Sequence, residues 1–290
     1  MLPLLHTGPG TWQWSIHPDV IFVCALMAAA YLFVVYQLRG EMSDAGRVKR
    51  SQVTLFLAGV ATIFVASSSP IHDIAEKHLL SMHMFQHFLY TMVAAPLLLA
   101  GTPPWVFEWF LRGPRVTAGA RFITRPVFAF AQFNAILLLT HLPRVVELSL
   151  NVHPFHFVVH AALLGSSVLV WWPILSNVQA LPRASYPVQM AYLFLQSVLP
   201  AVMASFITFA DGAIYPFYRE SPTLWGLSAV TDQQIAGGIM KLLGSLVLWG
   251  FMGLAFYRWY QRDQELAADD GRWGEIEEEL DRMGLTTRHR

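Results

Sequence analysis

Imidazoles are the side chains of this sequence best suited to chemistry. Eleven histidines occur, and ten of them precede residue 161. His83 and His87 are spaced i, i+4, and so are His156 and His160, a spacing that sets both rings of each pair on one face of a helix. Four neutral imidazoles are donors that copper, zinc and haem iron all accept. At about 100° per residue, the stripe through the first pair takes in His72, Glu76, Gln86 and Tyr90, provided the helix begins early enough. His153 extends the second stripe, His78 precedes the first, and His141 opens a His-Leu-Pro run. A thioether would turn such a site toward Cu(I). Met82 and Met84 flank His83, and Met240 follows Gly237-Gly238, although methionine in membrane helices is mostly packing filler.

Each of these has a plainer reading. A lone buried histidine is usually a satisfied hydrogen-bonding group, and His6, His17 and His289 read as exposed polar residues. Two i, i+4 pairs at one depth are harder to explain that way. The single cysteine, Cys24, excludes an internal disulfide, a Cys-x-x-Cys metal clasp and a dithiol redox motif.

The elements that must position these residues are membrane spans. Of 290 residues, 55% are hydrophobic and only 13% charged, about half the roughly 25% of a soluble globular protein. That excludes an ordinary soluble enzyme. A formal net charge of zero also argues against a nucleic-acid-binding protein, which neutralises phosphates with a basic excess. Seven runs are apolar enough to cross a hydrocarbon core about 30 Å thick: Asp19 to Leu38, Ser51 to Ser69, Leu79 to Gly101, Pro126 to Leu142, Phe155 to Leu175, Pro187 to Ala210 and Gln233 to Tyr257. The expected fold is all-α, a seven-helix transmembrane bundle over 19–260, with an outer segment 1–18 and a polar acidic tail 261–290.

Basic residues are retained on the cytoplasmic side, so their distribution predicts orientation. Fifteen fall in the first, third and fifth connections and the C-terminal segment; three, Lys77, Arg144 and Arg219, fall on the opposite side. The N-terminus is therefore expected outside and the C-terminus in the cytoplasm, with Trp12 and Trp14 as interfacial anchors. In this orientation His72, His78, His83, His87, His141, His153, His156, His160 and Asp232 all lie in or just above the outer half of the membrane. Ionisable groups there face the bundle interior, pair with one another or mark a functional site. The tail carries nine acidic residues from Asp263 to Asp281; a solvated tail with a short helix at Glu275 to Leu280 is the plain reading, a docking peptide the sharper one.

Catalysis has less support. A zinc hydrolase needs an open coordination position and a carboxylate to handle protons, and the deep parts of the spans contain no Asp or Glu. Lys241 is the single charge well within a span, open to snorkelling, pairing or service as a proton or anion site. The glycines of the seventh span, Gly237, Gly238, Gly244, Gly250 and Gly253, suggest close helix packing.

Several segments together carry a likeness. SMHMFQHFLYTMVAAPLLLAGTP (81–103), LTHLPRVVELSLNVHPFHFVVHAALLGSSVLVWWPI (139–174), FADGAIYPFY (209–218) and TDQQIAGGIMK (231–241) resemble, in order and spacing, the CtaG-type cytochrome c oxidase assembly factors associated with caa-type haem-copper oxidases. The likeness covers nearly all of residues 15–260. It implies a non-enzymatic, seven-span protein of the bacterial inner membrane, needed for active oxidase and associated with supplying copper. By that resemblance the functional positions are His83, His87, His141, His156, His160 and Met240, supported by Asp232 and Gln233. Two departures stand out: Val159 occupies a position where many relatives carry Glu, and Lys241 one where they carry an aromatic residue.

The expectation is a metal-handling chaperone of the respiratory chain that holds copper through the outer histidines and helps metallate a terminal oxidase. His83, His87, His141, His156, His160 and Met240 would be its ligands, with Gln86, His72, His78, His153, Asp232, Gln233 and Lys241 in support. The alternatives are a membrane cytochrome with haem between the third and fifth spans, an intramembrane zinc hydrolase, and a small-solute transporter. Oligomeric state and the identity of the client stay open.

Overall fold

Proline sets the helix starts. It lacks the N–H that a first helical turn leaves unpaired, and its fixed φ suits that turn; most helices of the computed structural model carry it at the first or second position. The structure describes residues 17–38, 48–222 and 224–283, so Trp12, Trp14, His6 and His289 lie outside the described residues. All described elements are helical: α1 Pro18–Tyr36, α2 Arg50–Ser68, α3 Pro70–Lys77, α4 Leu80–Phe88, a π turn Leu89–Ala94, α5 Ala95–Gly101, α6 Pro104–Phe110, α7 Pro114–Ile123, α8 Pro126–Thr140, α9 Pro143–Asn151, α10 His153–Leu175, α11 Tyr186–Thr208, α12 Pro216–Glu220 and α13 Ala229–Arg282.

Six helices are long and apolar enough to cross a membrane, and a seventh crossing is obtained if α7 and α8, bent by 65°, count as one. The fourth span is thus shorter than the expected Pro126 to Leu142. Its 15 residues rise only about 22 Å, and the helix stops at Thr140 as the chain approaches Pro143, which disfavours helical geometry in the residue before it. The seventh helix runs the other way. Instead of ending near Tyr257 before a separate short helix, α13 continues unbroken for 54 residues, about 81 Å at 1.5 Å per residue.

The third span is α4, the π turn and α5 in sequence. The Ala95 N–H donates to the Tyr90 carbonyl, five residues back. The next donor in that series is Pro96, which has none, so the Thr91 carbonyl would go unpaired in the interior. The indole N–H of Trp171 donates to it at 2.8 Å. Trp171 is fully buried in the principal core with Ala95, Phe133, Leu163, Leu193 and Leu248, where α5, α8, α10, α11 and α13 meet.

Close packing accounts for one glycine of α13. A Cβ on Gly237 would strike the Thr208 side chain and the Ala204 carbonyl of α11, whereas one on Gly238, Gly244, Gly250 or Gly253 would meet nothing within 4 Å. The helix-packing reading of these glycines holds at Gly237 alone.

Candidate metal centre

The histidine-bearing helices are fixed at one end of the bundle by buried hydrogen bonds from α12 and α13. The first N–H groups of α4 lack partners within their own helix, and the Leu79 N-cap offers no side-chain acceptor. Asp232, from α13, supplies one in trans: its carboxylate accepts from the backbone N–H of Leu80 at 2.6 Å and of Ser81 at 3.2 Å, and from the Ser81 hydroxyl. Gln233 ties down the segment after α11, accepting from Ile214 N at 2.6 Å and donating to the carbonyls of Ile207 at 3.0 Å and Gly212 at 3.2 Å. Both side chains hold the frame of the site rather than line it.

Within that frame the rings converge. One ligand atom from each of His83, His87 and His160 lies within 4.8 Å of the others. Ring centroids are 4.3 Å apart for His83 and His87, 5.2 Å for His87 and His160, and 4.1 Å for His156 and His160. His141 reaches in from the end of α8, 5.4 Å from His87. The helix expected to carry one stripe from His72 to Tyr90 is broken at His78 and Leu79, yet His72, Glu76, Gln86 and Tyr90 still meet across the break.

Hydrogen bonds decide which nitrogens are free. The Tyr218 hydroxyl donates its single proton to the Ala75 carbonyl at 2.7 Å. Its oxygen therefore accepts from His83 Nδ1, 3.1 Å away, and His83 keeps a lone pair on Nε2. His141 Nδ1 lies 2.7 Å from the Leu137 carbonyl, which only accepts, so its Nε2 is likewise unprotonated. His72 is the opposite case. Gln86 Nε2 donates to the Ala66 carbonyl at 2.8 Å and to His72 Nδ1 at 3.0 Å, which uses the lone pair of His72 and leaves its Nε2–H facing Glu76.

Glu76 Oε1 stands 3.3 Å from both His72 Nε2 and His156 Nε2. No acidic residue lies deep in the spans, but this one reaches the imidazoles from α3. Burial pushes its carboxyl up to about 7, and burial with the neighbouring His17 and His156 rings holds His72 down at about 4. A neutral or anionic carboxyl bridging two neutral rings is the resulting arrangement at the mouth of the cluster.

The donor set fits a transition metal. Both nitrogens of His87, and Nε2 of His141 and His160, are buried without a hydrogen-bond partner, and Nε2 of His156 makes none either, with Glu76 Oε1 3.3 Å away. Each such group costs about 1–3 kcal/mol, and five together approach the roughly 5–15 kcal/mol net stability of a whole domain. A neutral imidazole keeps one N–H, so a cation takes one lone pair from each ring and offsets most of that cost. With metal–imidazole bonds of about 2.0–2.1 Å, two donors on one ion sit no more than about 4 Å apart, so small ring rotations close the cluster.

Other expected supporting residues stand elsewhere. His78 is half-buried, with Nδ1 3.4 Å from the Pro222 carbonyl. His153 is exposed and faces Asp19 at 4.0 Å. Lys241 donates to Ser205 Oγ at 3.3 Å and lies 5.8 Å from the Phe209 ring centroid, apart from the imidazoles. Met240 lines a cavity bordered by His87 and His141. Residues that the spacing did not single out are Tyr218, Tyr215, whose hydroxyl donates to the His141 carbonyl at 3.0 Å, and His17, edge-on to His72 at 4.8 Å. Tyr215 and Tyr218 sit in the FADGAIYPFY segment, which signalled a likeness but no role.

Fold and site together define a polytopic helical membrane protein with a buried imidazole centre near one end of its bundle. Residues 29–262 match the cytochrome c oxidase caa3 assembly factor family, and the chain belongs to it. It is also similar to uncharacterized proteins of Mycobacterium bovis and Mycobacterium tuberculosis, each 23% identical over 280 residues, or 90% of this chain. The chain spans only 41% of the length of these curated relatives. No solved structure matches it.

Proposed function

We propose that this protein holds copper in transit at the His83, His87 and His160 centre, with His141 and His156 as flanking donors, and assists metallation of a terminal haem-copper oxidase. The observation that carries the reading is the convergence of five imidazoles, four of which, His87, His141, His156 and His160, have buried nitrogens that make no hydrogen bond. Membership of the caa3 assembly family supports the oxidase as client. The bacterial relatives and the basic connections support an inner-membrane location with the imidazole end outside.

Copper here is cargo. Transfer requires a site that binds without trapping, and imidazoles lacking a thiolate partner suit exchange. Asp232 and Tyr218 keep the donors in register, while the Glu76 carboxyl offers a hydrophilic mouth through which an ion enters or leaves. Haem is disfavoured by the edge-to-face packing of the rings and by the size of the adjoining cavity, about 60 Å³. The in-cell test is a His83→Ala, His87→Ala variant in a strain lacking the native chain. The reading expects normal membrane insertion with loss of copper-loaded oxidase; full oxidase activity would overturn it.

A further inference from the structure

The imidazole centre continues into a second chamber. A cavity of about 60 Å³ lies deeper in the bundle, bordered by His87 and His141 and lined by Met84, Met92, Met240 and Gln196. The methionines come from three elements, α4, the π turn and α13. The π turn matters for Met92: residues five apart on an α-helix are about 140° out of line, and an i→i+5 turn brings them closer to one face, so His87 and Met92 border the same space. On α13, Gly244 also lines it, and a Cβ there would meet nothing within 4 Å, which keeps that wall thin.

The lining is mostly apolar, and the few polar groups it holds stand where an unpaired polar atom is costly. Gln196 is fully buried; its oxygen accepts from Asn134 Nδ2 at 3.2 Å, but its Nε2 has no partner, and neither have His141 Nε2 and both His87 nitrogens. The volume suits an ion with one or two waters and is too small for a drug-sized organic ligand. No carboxylate lines the chamber, and the cost of burying a cation in low dielectric rises with the square of its charge. Thioethers prefer soft metals, Cu(I) above all, to divalent ions.

We propose that this chamber is a second, softer metal station, taking Cu(I) through the thioethers of Met84, Met92 and Met240 with an imidazole of His87 or His141. The proposal rests on the metal reading of the imidazole centre and adds the oxidation state and a route: His87, neither of whose ring nitrogens has a hydrogen-bond partner, borders both stations and can offer its one lone pair to either by changing tautomer.

Two probes separate the stations in the purified full-length protein. Ag(I) serves as a redox-inert soft ion and Co(II) as a divalent ion with a visible spectrum. Wild type should bind Ag(I) with sulfur in its coordination shell by X-ray absorption. A Met84→Leu, Met92→Leu, Met240→Leu variant, which conserves volume, should lose that sulfur and weaken Ag(I) at least about tenfold while Co(II) binding stays unchanged. Unchanged Ag(I) affinity, or an all-nitrogen shell in wild type, overturns the soft station and leaves the imidazole centre standing. Absence of Co(II) binding in wild type counts against the imidazole centre, with the sulfur signal still deciding the chamber. Should the triple variant fail to fold, Met240→Leu alone is expected to weaken Ag(I) several-fold, and no change would sink the idea.

Discussion

Tyr218 Oη lies 3.1 Å from His83 Nδ1, and because the same hydroxyl spends its proton on the Ala75 carbonyl at 2.7 Å, the tyrosine fixes the tautomer of the histidine. A residue on the short α12 helix thereby decides which nitrogen of α4 is offered to a metal. Groups that orient an imidazole in this way alter metal affinity by about 10–100-fold. Tyr218→Phe should weaken metal binding within that range with little change in helix content; a titration showing wild-type affinity would mean that the contact orients nothing of consequence.

Asp232 makes a separate prediction about the frame. Its carboxylate caps α4 across the bundle. Asp232→Ala should lower stability by about 1–3 kcal/mol, the range for caps and buried charged hydrogen bonds, and loosen the metal site with it. Ser81→Ala, which removes only the hydroxyl, should cost less. Thermal unfolding in detergent measures both, and equal losses would contradict the backbone-capping role.

The π turn yields a coupling experiment. Trp171→Phe leaves the Thr91 carbonyl without a donor, whereas Pro96→Ala restores a backbone N–H that can reach it. The double variant should therefore be more stable than the sum of the two single losses implies, by about 0.5–3 kcal/mol. Strict additivity would mean that proline, carbonyl and indole are not one unit.

Gly237 and Gly238 are adjacent and predicted to behave oppositely. Gly237→Ala should cost about 1–3 kcal/mol through overpacking against Thr208 and Ala204. Gly238→Ala should be neutral or stabilising by about 0.5–1 kcal/mol, the ordinary gain of alanine in a helix. A parallel response at the two positions would contradict the close approach of α11 and α13.

Much of this was legible in the residues themselves, for definite reasons. Span positions follow from the length of apolar runs, and the pairs His83/His87 and His156/His160 share faces because helical geometry is local. What was illegible depended on where helices stop. His78 and His153 lie at the depth of the site but at helix boundaries, where periodicity no longer aims a side chain inward. Glu76 was expected on the His83 face of one continuous helix; the helix instead breaks at His78 and Leu79, and the carboxyl reaches His156 from the separate α3. Met92 joined the site only through the π turn, and the roles of Tyr218 and Asp232 rest on contacts between residues some 135 and 151 positions apart.

The account turns on copper held by the imidazole centre. Its most direct test is the copper content of the purified protein after loading and removal of free metal, compared between wild type and His83→Ala, His87→Ala. At least one ion per wild-type chain and a clear loss in the variant are expected. Wild-type protein free of copper, or a variant that retains all of it, would contradict the central claim.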